Sequence, residues 1–248
     1  MHTLNQHQYE LITYVIDNNE QLQNHLTTLP FNRRIDGLIM LALPFTGEDV
    51  ANFQAADIPM VSIEYAHPEI PHVVIDNREG GRLAAEHLAG KSRRKFAFIG
   101  EGGEPPYSLH ATDERLEGYR TWLENNGFSV PEDCVARHPC GMGDAVKCAA
   151  DLLDCNDRPD AVFAASDLQA VAVMKAAAQI GLKIPEDLSL IGFDDIDLAD
   201  YMGITTINQS LDESGSTAVR LLIEQMENGV RVPSKVIFPL RVVERTTS

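Results

Sequence analysis

The stretch Asp187-Leu188-Ser189-Leu190-Ile191-Gly192-Phe193-Asp194-Asp195 decides the fold of this chain. An apolar run of strand length ends there in two adjacent carboxylates. That is the pattern of a strand covered on both faces that delivers polar groups at its carboxyl end, where ligands gather in open α/β sheets. Just upstream, Arg158-Pro159-Asp160-Ala161-Val162-Phe163-Ala164-Ala165-Ser166-Asp167 runs through a second apolar strand to a polar end at Ser166 and Asp167. A helical stretch follows, stopped by Gly181 and Pro185. Together the two segments read as one βαβ unit.

Outward from this unit the same alternation continues. Strands are expected at 9–15, 37–43, 59–65, 72–75, 95–100, 134–137, 161–165 and 188–193, and helices at 19–29, 47–56, 79–88, 112–126, 143–155, 168–180 and 211–228. Gly127, Gly181 and Gly229 fall where helices stop. Strands alternating with helices imply parallel sheets flanked by helices.

Composition limits the function. With 248 residues, 44% hydrophobic and 23% charged, the chain is ample for a real core and ordinary for a globular protein. Lys and Arg total 20 against 37 Asp and Glu, a formal net charge of −17, the wrong sign for a surface that condenses on phosphate backbones. No apolar run approaches the ~20 residues of a membrane span, and residues 1–8 lack the basic and apolar regions of a signal peptide, so a cytoplasmic location is expected. Cys134, Cys140, Cys148 and Cys155 lack C-x-x-C or zinc-knuckle spacing and read as reduced thiols. No H-E-x-x-H occurs, and Pro105 replaces the third glycine of a G-x-G-x-x-G in Gly100-Glu101-Gly102-Gly103-Glu104-Pro105. Neither a metal nor a nucleotide cofactor is expected.

Several segments, in order and spacing, resemble the effector-binding core of the lactose-repressor (LacI/GalR) family of bacterial transcription regulators. They are Val74-Ile75-Asp76-Asn77-Arg78-Glu79-Gly80-Gly81 with Ala84-Ala85-Glu86-His87-Leu88, then Phe96-Ala97-Phe98-Ile99-Gly100, Glu114-Arg115-Leu116-Glu117-Gly118-Tyr119-Arg120, the two strand segments above, and Thr205-Thr206-Ile207-Asn208-Gln209. The resemblance implies an α/β, two-lobed, type I periplasmic-binding-protein-like fold, each lobe a parallel sheet flanked by helices. By the same analogy, residues 1–75 with 209–235 form an N-terminal lobe, incomplete at its start, and 76–208 with 236–248 a C-terminal lobe. A first strand that relatives place mid-sheet, and a helix-turn-helix ahead of it, have no counterpart in this sequence. Unless the lobe is rearranged or a partner fills the gap, backbone groups would be left unpaired.

The function implied is non-catalytic: sensing of a small effector, a sugar or related polar metabolite, in a cleft between lobes. Partners would be that effector and a second copy in a side-by-side homodimer. Helices near 79–88 and 49–56 would offer apolar faces to the dimer, and DNA would be reached only through the helix-turn-helix. A periplasmic sugar-binding protein of a transport or receptor system is the rival with the same fold. An enzyme using Asp194 and Asp195 as metal ligands or as acid and base is the third reading, but no nucleophile or zinc arrangement accompanies them.

Ligand-binding candidates are Arg115, Asp194, Ser166, Asp167, Gln209, Tyr107 and Glu64. The family places at Arg115 a guanidinium that donates paired hydrogen bonds to the ligand, a task suited to a planar fork of donors. Asp194 ends a buried strand and is suited to accept sugar hydroxyls. Ser166 matches a small polar position in relatives, and Asp167 beside it either binds ligand or caps the next helix. Gln209 lies at a lobe crossing, Glu64 ends a strand, and Tyr107 is a loop aromatic suited to stacking on a pyranose. Asp195, Asp197 and Asp200 read as solvated or capping. Cys140 stands where several relatives carry an aromatic ligand wall, and Tyr201-Met202-Gly203-Ile204 is shorter than the usual loop and lacks its prolines.

Overall fold

A computed structural model of the chain describes residues 4, 7–32, 34–102, 111–139, 141–154, 157–229 and 231–248. The elements begin with α1 (Asn19–Asn32), β1 (Leu38–Leu41), α2 (Gly47–Ala55), β2 (Met60–Ile63), β3 (His72–Val74) and α3 (Asn77–Gly90). They continue with β4 (Phe96–Glu101), α4 (Ala111–Asn125), β5 (Val135–His138), α5 (Met142–Leu153), β6 (Ala161–Ala164) and α6 (Asp167–Gln179). Last come β7 (Ser189–Asp194), α7 (Asp197–Met202), β8 (Thr205–Asn208), α8 (Leu211–Asn228), β9 (Lys235–Ile237) and β10 (Arg241–Val243).

Two compact units divide these elements. The first takes the described residues up to Ile75 and then Leu211–Phe238. The second takes those from Asp76 to 102, from 111 to 210, and Pro239–Ser248, so Gln209 and Ser210 lie with the second unit and residues 236–238 with the first.

In the first unit the strands lie in the order β1-β2-β3-β9, each pairing parallel. One face is packed by α1 and α2 around Leu22, Leu26, Val50 and Phe53. The other takes Ala218 and Leu222 of α8 against Val61 and Val73. The strand expected at 9–15 does not form. Tyr14 and Ile16 pack on the first of these clusters while Leu11, Ile12 and Val15 stay exposed. The apolar alternation is therefore present, but a strand exists only where a neighbour takes its backbone groups, and among the described residues β1 pairs only with β2.

The second unit has six strands in the order β10-β8-β7-β6-β4-β5. All pair parallel except β10, which lies antiparallel on β8, so this sheet is mixed at one edge rather than wholly parallel. The short strands β8 and β10 and the short helix α7 escaped the sequence reading. In β8 the reason is chemical: Thr205 and Thr206 are fully buried, yet look polar in sequence. Their burial is tolerated because the Thr205 amide donates to Thr247 Oγ1 at 2.8 Å and the Thr206 hydroxyl donates to Asp167 at 2.6 Å. At the centre of the sheet β6 is apolar and buried along its whole length.

Helices α3 and α4 touch at the backbone. A Cβ on Gly81 would stand 1.9 Å from the Arg115 carbonyl oxygen, and one on Gly118 would stand 1.9 Å from the Arg78 carbonyl oxygen. Both contacts are with main chain, which cannot swing aside. On the two helices expected to offer apolar faces to a dimer, Ala84, Ala85 and Leu88 of α3 and Val50 and Phe53 of α2 are fully buried within their own units, whereas Leu83 of α3 stays partly exposed.

Gly118→Ala is therefore expected to destabilise the second unit by at least about 2 kcal/mol, the upper part of the range for overpacking, without changing the denaturant slope. Urea unfolding monitored by circular dichroism checks this.

Candidate functional site

The carboxyl ends of β6, β7 and β8 lie side by side in the second unit, with Asp194 in register with Asn208. Arg115 reaches them from α4. It is 7% exposed, and its guanidinium is fixed from several directions. Nε donates to Asn77 Oδ1 at 2.9 Å, Nη1 donates to the Ala165 carbonyl at 2.6 Å, and the guanidinium carbon lies 3.5 Å from the Phe193 ring centroid. The glycine contact between α3 and α4 brings Asn77, the first residue of α3, beside Arg115. Asp76 caps that helix by accepting from the Glu79 amide at 3.0 Å.

Beyond β7 the backbone turns through two residues with positive φ, Asp194 at 110° and Asp195 at 60°. Neither is glycine, so both are held at a cost the surroundings must meet, a condition that recurs at functional sites. The two carboxylates then part. Asp194 Oδ1 accepts from Gln209 Nε2 at 2.6 Å and stands 3.9 Å from Arg115 Nη1. Asp195, read from sequence as solvated or capping, is instead nearly buried in an ion pair. Its Oδ1 takes Arg245 Nη2 at 2.7 Å and its Oδ2 takes Asn208 Nδ2 at 2.7 Å. Arg245 also donates to the Ile204 carbonyl at 2.9 Å and pairs with Asp200 at 3.3 Å.

Ser166 and Asp167 also divide. Ser166 is the cap of α6, its hydroxyl accepting from the Gln169 amide at 3.3 Å. Asp167 is 0% exposed and points inward. Oδ1 accepts the Thr206 hydroxyl at 2.6 Å, and Oδ2 accepts the Ile196 amide at 3.0 Å. Gly192 is the room that makes this possible, since a Cβ there would stand 2.4 Å from Asp167 Oδ1. Burial pushes the Asp167 carboxyl up to about 6. Hydrogen bonds from Thr206, Ile196 and Asp195 pull it back, and the Asp195 charge raises it further.

Arg115, Asp194 and Gln209 are thus brought together, with Ser166 and Asp167 on the adjoining strand end. Glu64 belongs to the first unit, at the end of β2, also with positive φ, at 66°. Tyr107 and Cys140 lie outside the described residues. Sequence reasoning missed Asn77, Phe193, Asn208 and Arg245. Phe193 had a signal, as the last apolar residue before Asp194; nothing local marked Arg245. Among the described residues no group of three or more His, Cys, Asp or Glu is placed to hold a metal ion, and no helix is long and apolar enough to cross a membrane.

Two α/β units, the second with a polar cluster at its strand ends, can be set against known proteins. Residues 85–248 match the model of the periplasmic binding protein-like domain. The chain is 29% identical over 243 residues to the HTH-type transcriptional repressor PurR of Escherichia coli, covering 96% of this chain and 70% of that repressor. It is 31% identical over 219 residues to the ribose operon repressor of Halalkalibacterium halodurans, covering 86% of this chain and 62% of that protein. A solved structure of the transcriptional regulator CelR with cellobiose superposes with a TM-score of 0.83 at 25% identity, over 99% of this chain and 75% of that one. The chain belongs to the periplasmic binding protein-like family, as the effector-binding core of a LacI-type transcription regulator. These relatives are regulators, not carriers of a transport system.

The buried Asp167 carboxyl makes a signed prediction. Its folded value lies above the 3.8 of a free carboxyl, so protonation favours the fold. This contribution is complete below pH ~4 and is lost as pH rises through about 6. Above that, the ionised group costs on the order of 2–3 kcal/mol. Asp167→Asn is expected to raise the melting temperature at pH 7.5, with the difference from wild type shrinking towards pH 4. Thermal unfolding across that range checks both the sign and the trend.

Proposed function

We propose that the effector is a sugar or a related polyhydroxylated metabolite, and that Arg115, Asp194 and Gln209 bind it. The supporting observation is the arrangement of the three: a buried guanidinium fixed in one plane, a carboxylate on a strained strand end, and an amide oriented by that carboxylate. A planar donor fork beside an ionised acceptor matches adjacent hydroxyls, each of which donates and accepts. That one similar regulator is solved with cellobiose and another is named for the ribose operon agrees with this class. Ser166 contributes a hydroxyl at the neighbouring strand end. Glu64 and Tyr107 complete the proposed set, each from outside this cluster.

The same reading makes the chain a cytoplasmic sensor without catalysis. It acts as a homodimer, and in a longer parent it controls DNA through a helix-turn-helix. A net charge of −17 is why the chain itself is not the DNA-binding surface. The apolar side chains that support a homodimer are those left exposed in the first unit, Leu11, Ile12, Val15 and Leu41 among them. Sedimentation equilibrium at micromolar concentration is expected to show self-association above 27.4 kDa, and a single species of that mass at every concentration would remove the dimer from this reading.

Calorimetric titration with D-ribose and with cellobiose tests the ligand class. For the sugar that binds, Arg115→Ala is expected to weaken affinity by about 10- to 100-fold, the loss of a charge-assisted pair worth ~1.5–3 kcal/mol. Arg115→Lys should not restore it, because an ammonium is a point charge with rotatable donors and lacks the planar fork that Asn77 and Ala165 hold in one orientation. Saturable binding that Arg115→Ala leaves unchanged would take the arginine out of the site.

A further inference from the structure

The Asp194–Asp195 turn raises the question of what holds two consecutive non-glycine residues at positive φ. Arg245 and Asn208 grip the Asp195 side chain, but the hydrogen bond that the Ile196 amide donates goes to neither of them. The backbone after the turn is gripped from inside the protein. Asp167 accepts the Ile196 amide at 3.0 Å and also a hydrogen bond from the Asp195 backbone. Its other oxygen is tied to β8 through Thr206 at 2.6 Å. One carboxylate therefore fastens the exit of β7 to β8, at the point where Asp194 and Gln209 project from those two strands.

Asp167 is too deeply buried to meet a ligand, and at 0% exposed it is an expensive way to satisfy two amides. A serine or an asparagine would satisfy fewer donors at lower desolvation cost. Gly192 is also required for it to fit, since a Cβ there would come within 2.4 Å of Oδ1. A costly ionisable group, a glycine that makes room for it, and a strained turn that it pins all converge on Asp194.

We propose that Asp167 is a positioning residue for the effector site: its carboxylate holds the turn that aims Asp194, so that the order of the turn and the affinity of the site follow its charge. This rests on the reading of Arg115, Asp194 and Gln209 as the effector-binding group. The charged groups on the elements around it are Asp194 and Asp195 in the turn itself, Arg245 paired to Asp195, and Arg115, which donates to Ala165 two residues before Asp167. Thr206 and Gly192, its contacts on β8 and β7, do not titrate. When Asp167 is ionised, it accepts three hydrogen bonds as an anion. When it is protonated, the O–H turns to Thr206 and the turn amides are left with a neutral, weaker acceptor.

The test is amide hydrogen exchange at Ile196 in the 248-residue chain, corrected for intrinsic rates and read alongside the pH titration of the Asp167 carboxyl carbon by NMR. Ile196 protection in wild type is expected to fall by about tenfold between pH 7.5 and pH 5, with the midpoint of the Asp167 titration. In Asp167→Asn, Ile196 protection is expected to be low at both pH values, although the variant melts higher at pH 7.5. A merely structural carboxylate would not move local protection and global stability in opposite directions. Thr206→Val provides a second route, independent of whether Asp167→Asn folds. Losing the hydroxyl donor should move the Asp167 midpoint upward, and the loss of Ile196 protection should move with it. Ile196 protection that ignores the Asp167 titration, or that changes only with global unfolding, would overturn the positioning role. Titrations with D-ribose and cellobiose run in parallel: an affinity that falls with Ile196 protection supports the link to the site. If neither sugar binds wild type, the effector class is wrong while the amide readout still decides the role of Asp167.

Discussion

The proposed effector site depends on Arg115 being held in a single plane. An arginine side chain has many rotamers, and a guanidinium free to sample them presents no fixed geometry to a ligand. Here Asn77, the Ala165 carbonyl and the Phe193 ring restrain it from different directions. Each restraint comes from a different element: α3, the end of β6 and the end of β7. The position of the guanidinium is thus a readout of how the helices and the sheet are assembled, and the backbone contact of Gly81 and Gly118 sets that assembly. A methyl group at either glycine would move α3 from α4 and carry Asn77 away from Arg115.

The two aspartates show how adjacent identical side chains acquire different chemistry. The strained turn after β7 sends Asp194 towards Arg115 and Gln209 and sends Asp195 towards Arg245 and Asn208. Asp195 is committed to a cation and an amide that lock the last strand region to the turn, a structural use of charge. For the pair to serve as a metal site or as acid and base, Asp195 would have to abandon Arg245 and leave that largely buried guanidinium with only the exposed Asp200 as an anion, at a substantial cost. The ion pair thus favours binding over catalysis at this point in the fold.

Much of the architecture was legible because it is written in local patterns. The β6 and β7 segments read as strands from continuous apolar runs, and α6 and α8 read as helices from their stops. Arg115 and Asp194 were legible only by resemblance, since a lone arginine on a helix and a carboxylate at a strand end are both ordinary. What escaped reading was what depends on distant partners. β8 is buried but carries two threonines; the Thr205 hydroxyl is satisfied by the Arg245 amide and Ser248 and the Thr206 hydroxyl by Asp167, partners that no sequence window contains. Residues 9–15 show the reverse: the strand pattern is present and the pairing neighbour is not. Asp167 was read as a ligand contact or a helix cap, and the cap belongs to Ser166; the inward rotation of Asp167 is set by Gly192 on another strand.

As an effector site, the proposed cluster has the advantage that it does not collapse on itself. A guanidinium and a carboxylate this close could close into a bidentate pair. Instead Nη1 is drawn to the Ala165 carbonyl and Oδ1 to Gln209, and the two atoms remain 3.9 Å apart, attracted but outside hydrogen-bond distance. The cost of holding them there was met when the protein folded, in a strained turn and a buried carboxylate, so it is not charged again when an effector binds. Preorganisation of this sort improves affinity by lowering the ordering cost of binding rather than by adding contacts. It also explains why a polar site tolerates such deep burial: each polar side chain is oriented by a neighbour that was itself oriented by the sheet.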